Sequence, residues 1–357
     1  MAHIVSRRKK RYKIVGLTYD VKPDYRFRRG DPEDANAEFD HPDTIEVIKD
    51  AIESGGHKVV KIGNVHNLLR RLKNLNVDIV FNIAEGVSGR NRESQVPIIL
   101  EMMGIPFVGA DGLTQALTLD KVMAKKVLLA EGIPTPDFFV LSDVNSLNGA
   151  RLNFPMIVKP RYEGSSKGIS DKSIVTNARR LKEQARWVIR TYKQPALVER
   201  FITGSEFTVP IVGNEQPEAL PVVQIKIDGK LNLGDLCYTF SRIRSNTLSY
   251  VCPAVISGSL EKKLKEMALK VYKAVDCLDF GRVDIRVDKN GNPFVLEINP
   301  LPSLSTEDVF MVISRQMKVS YSSTINRILD YALERYGISP ALSASKSRYG
   351  ARKSGVN

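Results

Sequence analysis

The sequence predicts an α/β protein, with an N-terminal domain on a parallel sheet and a two-part α+β region after it. Three observations predict this. Residues 13–110 alternate short apolar runs with stretches of helical period. A strong helix closed by Gly132, with Pro134 and Pro136 following, ends that alternation. Late in the chain, two alternating runs flank Asn290-Gly291.

In order, residues 13–17 form a short apolar strand. Residues 19–40 are polar, charged and aperiodic, which reads as a long loop and a candidate active-site lid. Residues 44–54 are helical, with Pro42 near the first turn and Gly55-Gly56 at the end. Residues 59–62, 78–82 and 106–108 are strands separated by helices around 66–74 and 94–103. Residues 116–131 are expected to form one helix. Strands at 137–141, 155–160 and 173–175 follow, with a helix over 177–192. From Pro195 to 299 the chain is strand-rich, interrupted by a helix at 259–275, and a last helix covers 319–336. The implied division is 1–12 (basic tail), 13–120, 121–198, 199–338 and 339–357 (basic tail).

Composition excludes several classes. No apolar run approaches the roughly 18–20 residues that span a bilayer. The basic N-terminus leads into a strand, not into a signal-peptide stretch. Cys237, Cys252 and Cys277 form no CxxC pair and are odd in number, which disfavours a disulfide framework and points to the cytoplasm. The net charge of +13 resembles a nucleic-acid signal until it is placed along the chain. Arg7, Arg8, Lys9, Lys10 and Arg11 at one end, with Lys346, Arg348, Arg352 and Lys353 at the other, carry nine of those charges. The intervening chain is nearly balanced, so a nucleic-acid partner is disfavoured. Trp187 reads as a core residue, and His41, His57 and His66 as surface residues without ligand spacing.

The most informative stretch runs from Gly281 to Pro300. Asn290-Gly291 is the strongest short hairpin signal, and a two-residue turn there would set Lys289 opposite Asn292. Asp284 then faces Glu297, Arg282 faces Asn299, and all four share one face. Opposed carboxylates repel, so removing one should leave the stability unchanged or raised. An all-oxygen Asp/Glu/Asn set suits Mg²⁺; the alternative is a surface network neutralised by Arg282 or Arg286. Upstream, Phe154-Pro-Met-Ile-Val-Lys-Pro160 is an apolar strand delivering Lys159 beside Glu163-Gly-Ser-Ser-Lys-Gly168. An ammonium beside a Gly/Ser loop is a way to cradle phosphates. Lys121 adds a second lysine. Residues 195–202 and 204–209 read as strand, turn and strand, an apolar hinge with an acid that suits adenine and ribose.

In this order the motifs resemble the ATP-grasp superfamily, and within it the D-alanine–D-alanine ligases, over about residues 78–312. The likeness rests on Lys159 with residues 163–166, Glu199, Cys252-Pro-Ala254, and Arg282, Asp284, Glu297 and Asn299. Gly104-Ile-Pro-Phe-Val-Gly109 and Leu119-Asp-Lys121 add to it. The resemblance implies a Rossmann-like pre-ATP-grasp domain before a two-part ATP-grasp domain. It implies an enzyme that uses ATP and two Mg²⁺ (or Mn²⁺ in their place) to join a small carboxylate to an amine through an acyl phosphate. Lys121 and Lys159 would contact the phosphates with the Ser165–Ser166 loop closing over them, Glu163 belonging to the same cofactor-binding set; Glu199, Phe201 and Ile202 would line the adenine site, and Glu206 would bind the ribose. Asp284, Glu297 and Asn299 would hold the metal, with Arg282, Arg242 and Ser303 as catalytic groups. The resemblance also leaves room for a homodimer.

The substrate side departs from the family. Its N-terminal G-G-x-S-x-E pattern is missing, its H-G-x-x-G-E-D-G becomes the Ala84-Glu85 stretch, and Asp308 stands where a serine meets the acceptor carboxylate. Glu85 and Asp308 are therefore the substrate-side candidates, and Asp308 favours an acceptor with a cation over one with a free carboxylate. The alternatives are a D-alanine–D-alanine ligase of peptidoglycan synthesis, or an inactive ATP-binding scaffold whose basic tails bind a polyanion.

Overall fold

The computed structural model describes residues 12–147, 152–245 and 247–339; apart from Tyr12 and Ser339, the two basic tails lie outside them. The N-terminal layer contains β1 (Ile14–Tyr19), α1 (Pro42–Ser54), β2 (Lys58–Gly63), α2 (Val65–Arg71), β3 (Ile79–Ile83), α3 (Gln95–Met102) and β4 (Phe107–Val108). Its strands lie in the order β2-β1-β3-β4, all parallel, as the strand–helix alternation predicts. The order reverses at β1, so a crevice opens beyond the C-terminal ends of β1 and β3, where α/β sheets place ligands. The loop at 20–41 and Glu85 occupy those ends.

The helix expected at 116–131 is two helices, α4 (Gly112–Leu119) and α5 (Lys121–Ala130). Asp120 breaks it. Its backbone leaves the helical region, and its carboxylate caps α5 by accepting from the Val122 and Met123 amides. Arg161 binds the same carboxylate with two bonds of 2.7 Å. That bond ties the start of α5 to the end of the strand carrying Lys159.

The small sheet has the order β5-β8-β6-β7, from β5 (Phe138–Leu141), β6 (Met156–Pro160), β7 (Ile174–Val175) and β8 (Ala196–Arg200), backed by α6 (Ala178–Tyr192) between β7 and β8. Its last strand runs to Arg200, so the crossing into the next sheet falls at residues 201–203. Trp187, expected in the core, is 42% exposed, because the apolar stripe of α6 is Leu181, Ala185 and Val188. His57, expected at the surface, is buried and accepts the Lys13 amide.

The third sheet is antiparallel, in the order β12-β11-β9-β13-β14 with β10 on β9. It comprises β9 (Gly204–Val212), β10 (Glu218–Ala219), β11 (Val223–Ile227), the short α7 (Phe240–Ile243), β12 (Leu248–Val251), α8 (Gly258–Ala274), β13 (Phe280–Asp288) and β14 (Pro293–Asn299). The chain ends in α9 (Val309–Gln316), which the sequence reading missed because only one apolar turn follows Asp308, and α10 (Tyr321–Arg335). Both pack back onto α1 and β1 in one apolar core. No helix among the described residues is long and apolar enough to cross a membrane.

Candidate active site

One cleft of about 1140 Å³ is walled by all three sheets and receives most of the residues singled out from the sequence. At one end, β6 delivers Lys159, whose Nζ lies 2.8 Å from Glu199 Oε2. Glu199 is 1% exposed, and its other oxygen lies 2.9 Å from Lys125 Nζ. Burial would raise this carboxyl, but the two lysines outweigh it and hold it below the ordinary range. Lys125 was missed, yet it stands one helical turn after Lys121 on the same face of α5. Lys121 heads α5 and reaches Glu297 Oε2 at 2.8 Å.

The metal hairpin has the expected pairs but a different construction. Asp284 faces Glu297 and Arg282 faces Asn299. Nearer the turn, however, Val287 pairs with Pro293 and Arg286 with Phe294, a register one residue shorter. The turn is a three-residue loop, with the Gly291 amide bonded to the Asp288 carbonyl and Gly291 at φ +80°. A bulge leaves Leu296 unpaired and restores the register before Glu297. The two-residue turn was wrong, and the bulge cancels its consequence.

The expected repulsion is also answered. Burial would raise Glu297, but Lys121 and Lys159 bring it down to about 2. Burial and the neighbouring Glu297 push Asp284 up, against Arg282, whose Nη2 lies 3.1 Å from Asp284 Oδ2. The Asn299 amide oxygen accepts the Leu301 amide at 2.9 Å and keeps a second lone pair. The donors are two carboxylates and an amide on one face, and no cluster of three His, Cys, Asp or Glu among the described residues could enclose a metal. The set fits Mg²⁺ sharing its shell with phosphate oxygens and water.

Phe201 and Ile202 are buried along the hinge, and the Arg286 guanidinium lies 4.5 Å over the Phe201 ring. Glu206, raised by burial, sits 3.6 Å from Arg286 Nη1. Ser165 and Ser166 line the cleft at φ 45° and 56°. Glu163 lines it too, but its carboxylate is engaged by Lys167 and by Gln194 at 2.7 Å. Ser303 also lines the cleft, its hydroxyl accepting the Ser305 amide. Arg242 is not brought to the cleft: its guanidinium pairs with Asp171 at 2.6 Å, and Arg244 lines the wall instead.

The end of the cleft beyond β1 and β3 is acidic. Asp308 caps α9 by accepting the Val309 amide at 2.6 Å and lies 3.7 Å from Arg282 Nη1. Glu85, Glu93 and Asp40 line the same end. Burial, then Glu93 and Glu38, push Glu85 well up. Burial brings Glu93 and Asp40 each up to about 7. Asp40 and Glu93 were missed as site residues. Their position beyond β1 and β3, at the reversal of strand order, is the signal that could have found them.

Comparison with known proteins places this geometry among relatives. The family model for the D-ala D-ala ligase C-terminus matches residues 127–330. A D-alanine–D-alanine ligase from Carboxydothermus hydrogenoformans is 32% identical over 300 residues, covering 82% of this chain and 93% of that one. An uncharacterized protein, y4sG, from Sinorhizobium fredii is 37% identical over 258 residues, covering 72% and 75%. Among solved structures, a D-alanine–D-alanine ligase from Bacillus anthracis complexed with ATP superposes with a TM-score of 0.68 at 21% identity, covering 91% and 99%. The VanG D-Ala:D-Ser ligase from Enterococcus faecalis gives 0.69 at 20%, covering 90% and 99%. These two structures share the fold with the chain described here while their names differ in the acceptor.

Proposed function

The chain belongs to the D-alanine–D-alanine ligase family, and we propose that it is an ATP- and Mg²⁺-dependent carboxylate–amine ligase with an altered substrate end. The observation that carries this reading is the convergence of Lys121, Lys159 and the Asp284/Glu297/Asn299 face, from three separate elements, in one cleft.

A free carboxylate is a poor electrophile, and phosphorylation gives it a leaving group. Lys121 and Lys159 offset the charge of the transferring phosphoryl group. Asp284, Glu297 and Asn299 would hold two Mg²⁺, or Mn²⁺ in their place, which when bound spread the phosphate charge further. Phe201, Ile202 and Glu206 suit the adenine and ribose, while Glu199 orients Lys159 through their 2.8 Å ion pair. Arg282, fixed by Asp284, is aimed at the oxyanion that forms when an amine attacks the acyl phosphate, together with backbone near Ser303. The segment at 20–41 covers the cleft and keeps water from the acyl phosphate.

The substrate end supports an ammonium-bearing substrate, because Asp40, Glu85, Glu93 and Asp308 line it together. Sequence identity to D-alanine–D-alanine ligases favours a second reading, D-alanine as both substrates. ADP release measured over D-alanine, diamino acids, amines and dipeptides separates the two. A preference for cationic acceptors is expected. D-alanine as the best single substrate, with its dipeptide as product, makes the second reading correct, and no release with any pair sinks both.

A further inference from the structure

The segment after β1 does more than cover the cleft, because two of its carboxylates grip the glycine–serine loop at both ends. The Glu38 side chain is 4% exposed, and its Oε1 accepts the Gly164 amide at 2.5 Å. Arg92 Nη2 lies 2.6 Å from that oxygen and Lys167 Nζ 3.1 Å from Oε2. Asp34, 7% exposed, accepts the Gly168 amide at 2.7 Å and the Tyr192 hydroxyl at 2.8 Å. Between these grips, Ser165 and Ser166 are in the left-handed region, which for residues with a Cβ persists only when surroundings enforce it.

The bonds also divide the loop's backbone donors. Gly164 and Gly168 give their amides to the two carboxylates, while Lys167 and Ile169 donate to carbonyls within the loop. The amides of Ser165 and Ser166 donate to no described residue, so they are the ones left for an anionic oxygen.

We propose that Glu38 and Asp34 are positioning residues: they clasp the loop so that the Ser165 and Ser166 amides face the phosphate end of the cleft. The proposal rests on reading that loop as a nucleotide-phosphate contact. Neither residue belongs to a motif that carried the family resemblance. The clasping segment also lines the substrate end through Asn36, Asp40 and His41.

The test uses the full chain with Glu38→Ala, Glu38→Gln and Asp34→Asn. Amide hydrogen exchange without ligand should speed up at 164–168 in Glu38→Ala, while α1 and α6 keep their protection. Calorimetric binding of ATP with Mg²⁺ should weaken about tenfold in that variant, as for loss of one charge-assisted bond. KM for ATP should rise more than kcat falls. Glu38→Gln retains an acceptor for the Gly164 amide and should recover part of both effects, and Asp34→Asn should loosen the Gly168 end. Unchanged exchange at 164–168 in Glu38→Ala overturns the clasp. So does tighter ATP binding, which would mean that Glu38 occupies the phosphate's place. Failure of the wild-type chain to bind ATP sinks the nucleotide reading instead, and exchange at the loop still decides whether the clasp exists.

Discussion

Glu297 holds Lys121 in the structure described here and is assigned to Mg²⁺ in the working enzyme. Its removal is therefore not the relief of repulsion that the opposed carboxylates imply from sequence. Glu297→Gln leaves the buried Lys121 ammonium without its 2.8 Å partner. The variant should lose ligation and also unfold at a lower temperature, checked by ADP release and thermal melting; an unchanged or raised Tm would show that the Asp284 repulsion dominates. The folded carboxyl sits below its unfolded value, so this stabilisation is present above about pH 4.5 and is lost as pH falls towards about 2. Asp40 and Glu93 behave in the opposite sense. Burial raises both to about 7, so the fold prefers their protonated forms and their contribution to stability falls as pH rises from about 4 to 7. Above that range both are ionised and attract a cation. A cationic substrate should bind roughly tenfold more tightly at about pH 8 than at about pH 6. A binding titration in which Asp40→Asn with Glu93→Gln keeps the full pH dependence would refute that origin.

At the scale of one element, the hairpin joins a three-residue turn to a bulge, which offsets the turn so that Glu297 and Asn299 stand opposite Asp284 and Arg282. Deleting Leu296, the extra residue, sets Glu297 directly after Val295 and so still opposite Asp284, in a regular ladder that keeps both pairs on one face. Mg²⁺-dependent nucleotide affinity should therefore be kept in the deletion as well as in Leu296→Ala, which preserves the residue count. Loss of that affinity in the deletion alone would mean that the bulge itself, and not only the pairing, shapes the site. The break at Asp120 has a similar role. Because Arg161 holds its carboxylate, the first residue of α5 and the end of β6 are joined, and Lys121 and Lys159 enter the cleft together.

The whole molecule is closed by its own C-terminal helix. Ile325, Ile328 and Leu329 of α10 share one core with Ile45, Ile48 and Ile52 of α1 and with Val15 and Leu17 of β1. Asn326 adds a bond to the Ala51 carbonyl across 275 residues of sequence. The parallel sheet is therefore completed from the far end of the chain. Ile328→Ala should cost about 2–5 kcal/mol, since the side chain is fully buried. Urea unfolding followed by exchange should show β1, α1 and α10 losing protection together. Independent loss of α10 would show that the N-terminal layer stands without it.

Alternation by itself determined the layered α/β fold, since strand and helix periods are local properties of the chain. Asn290-Gly291, the strand ending in Lys159 and the loop at 163–168 made the proposed phosphate and metal residues legible for the same reason: each set lies on a local strand-and-turn pattern. The acidic end was legible only in part, because the resemblance pointed to Glu85 and Asp308 while Asp40 and Glu93 were missed. Asp40, Glu85, Glu93 and Asp308 are far apart in sequence and meet only where the strand order reverses and α9 begins. Tertiary structure likewise decided the partners of Lys125, Arg242 and Glu38, because an ion pair between distant segments depends on where the backbones cross. No period or spacing along one segment encodes that crossing.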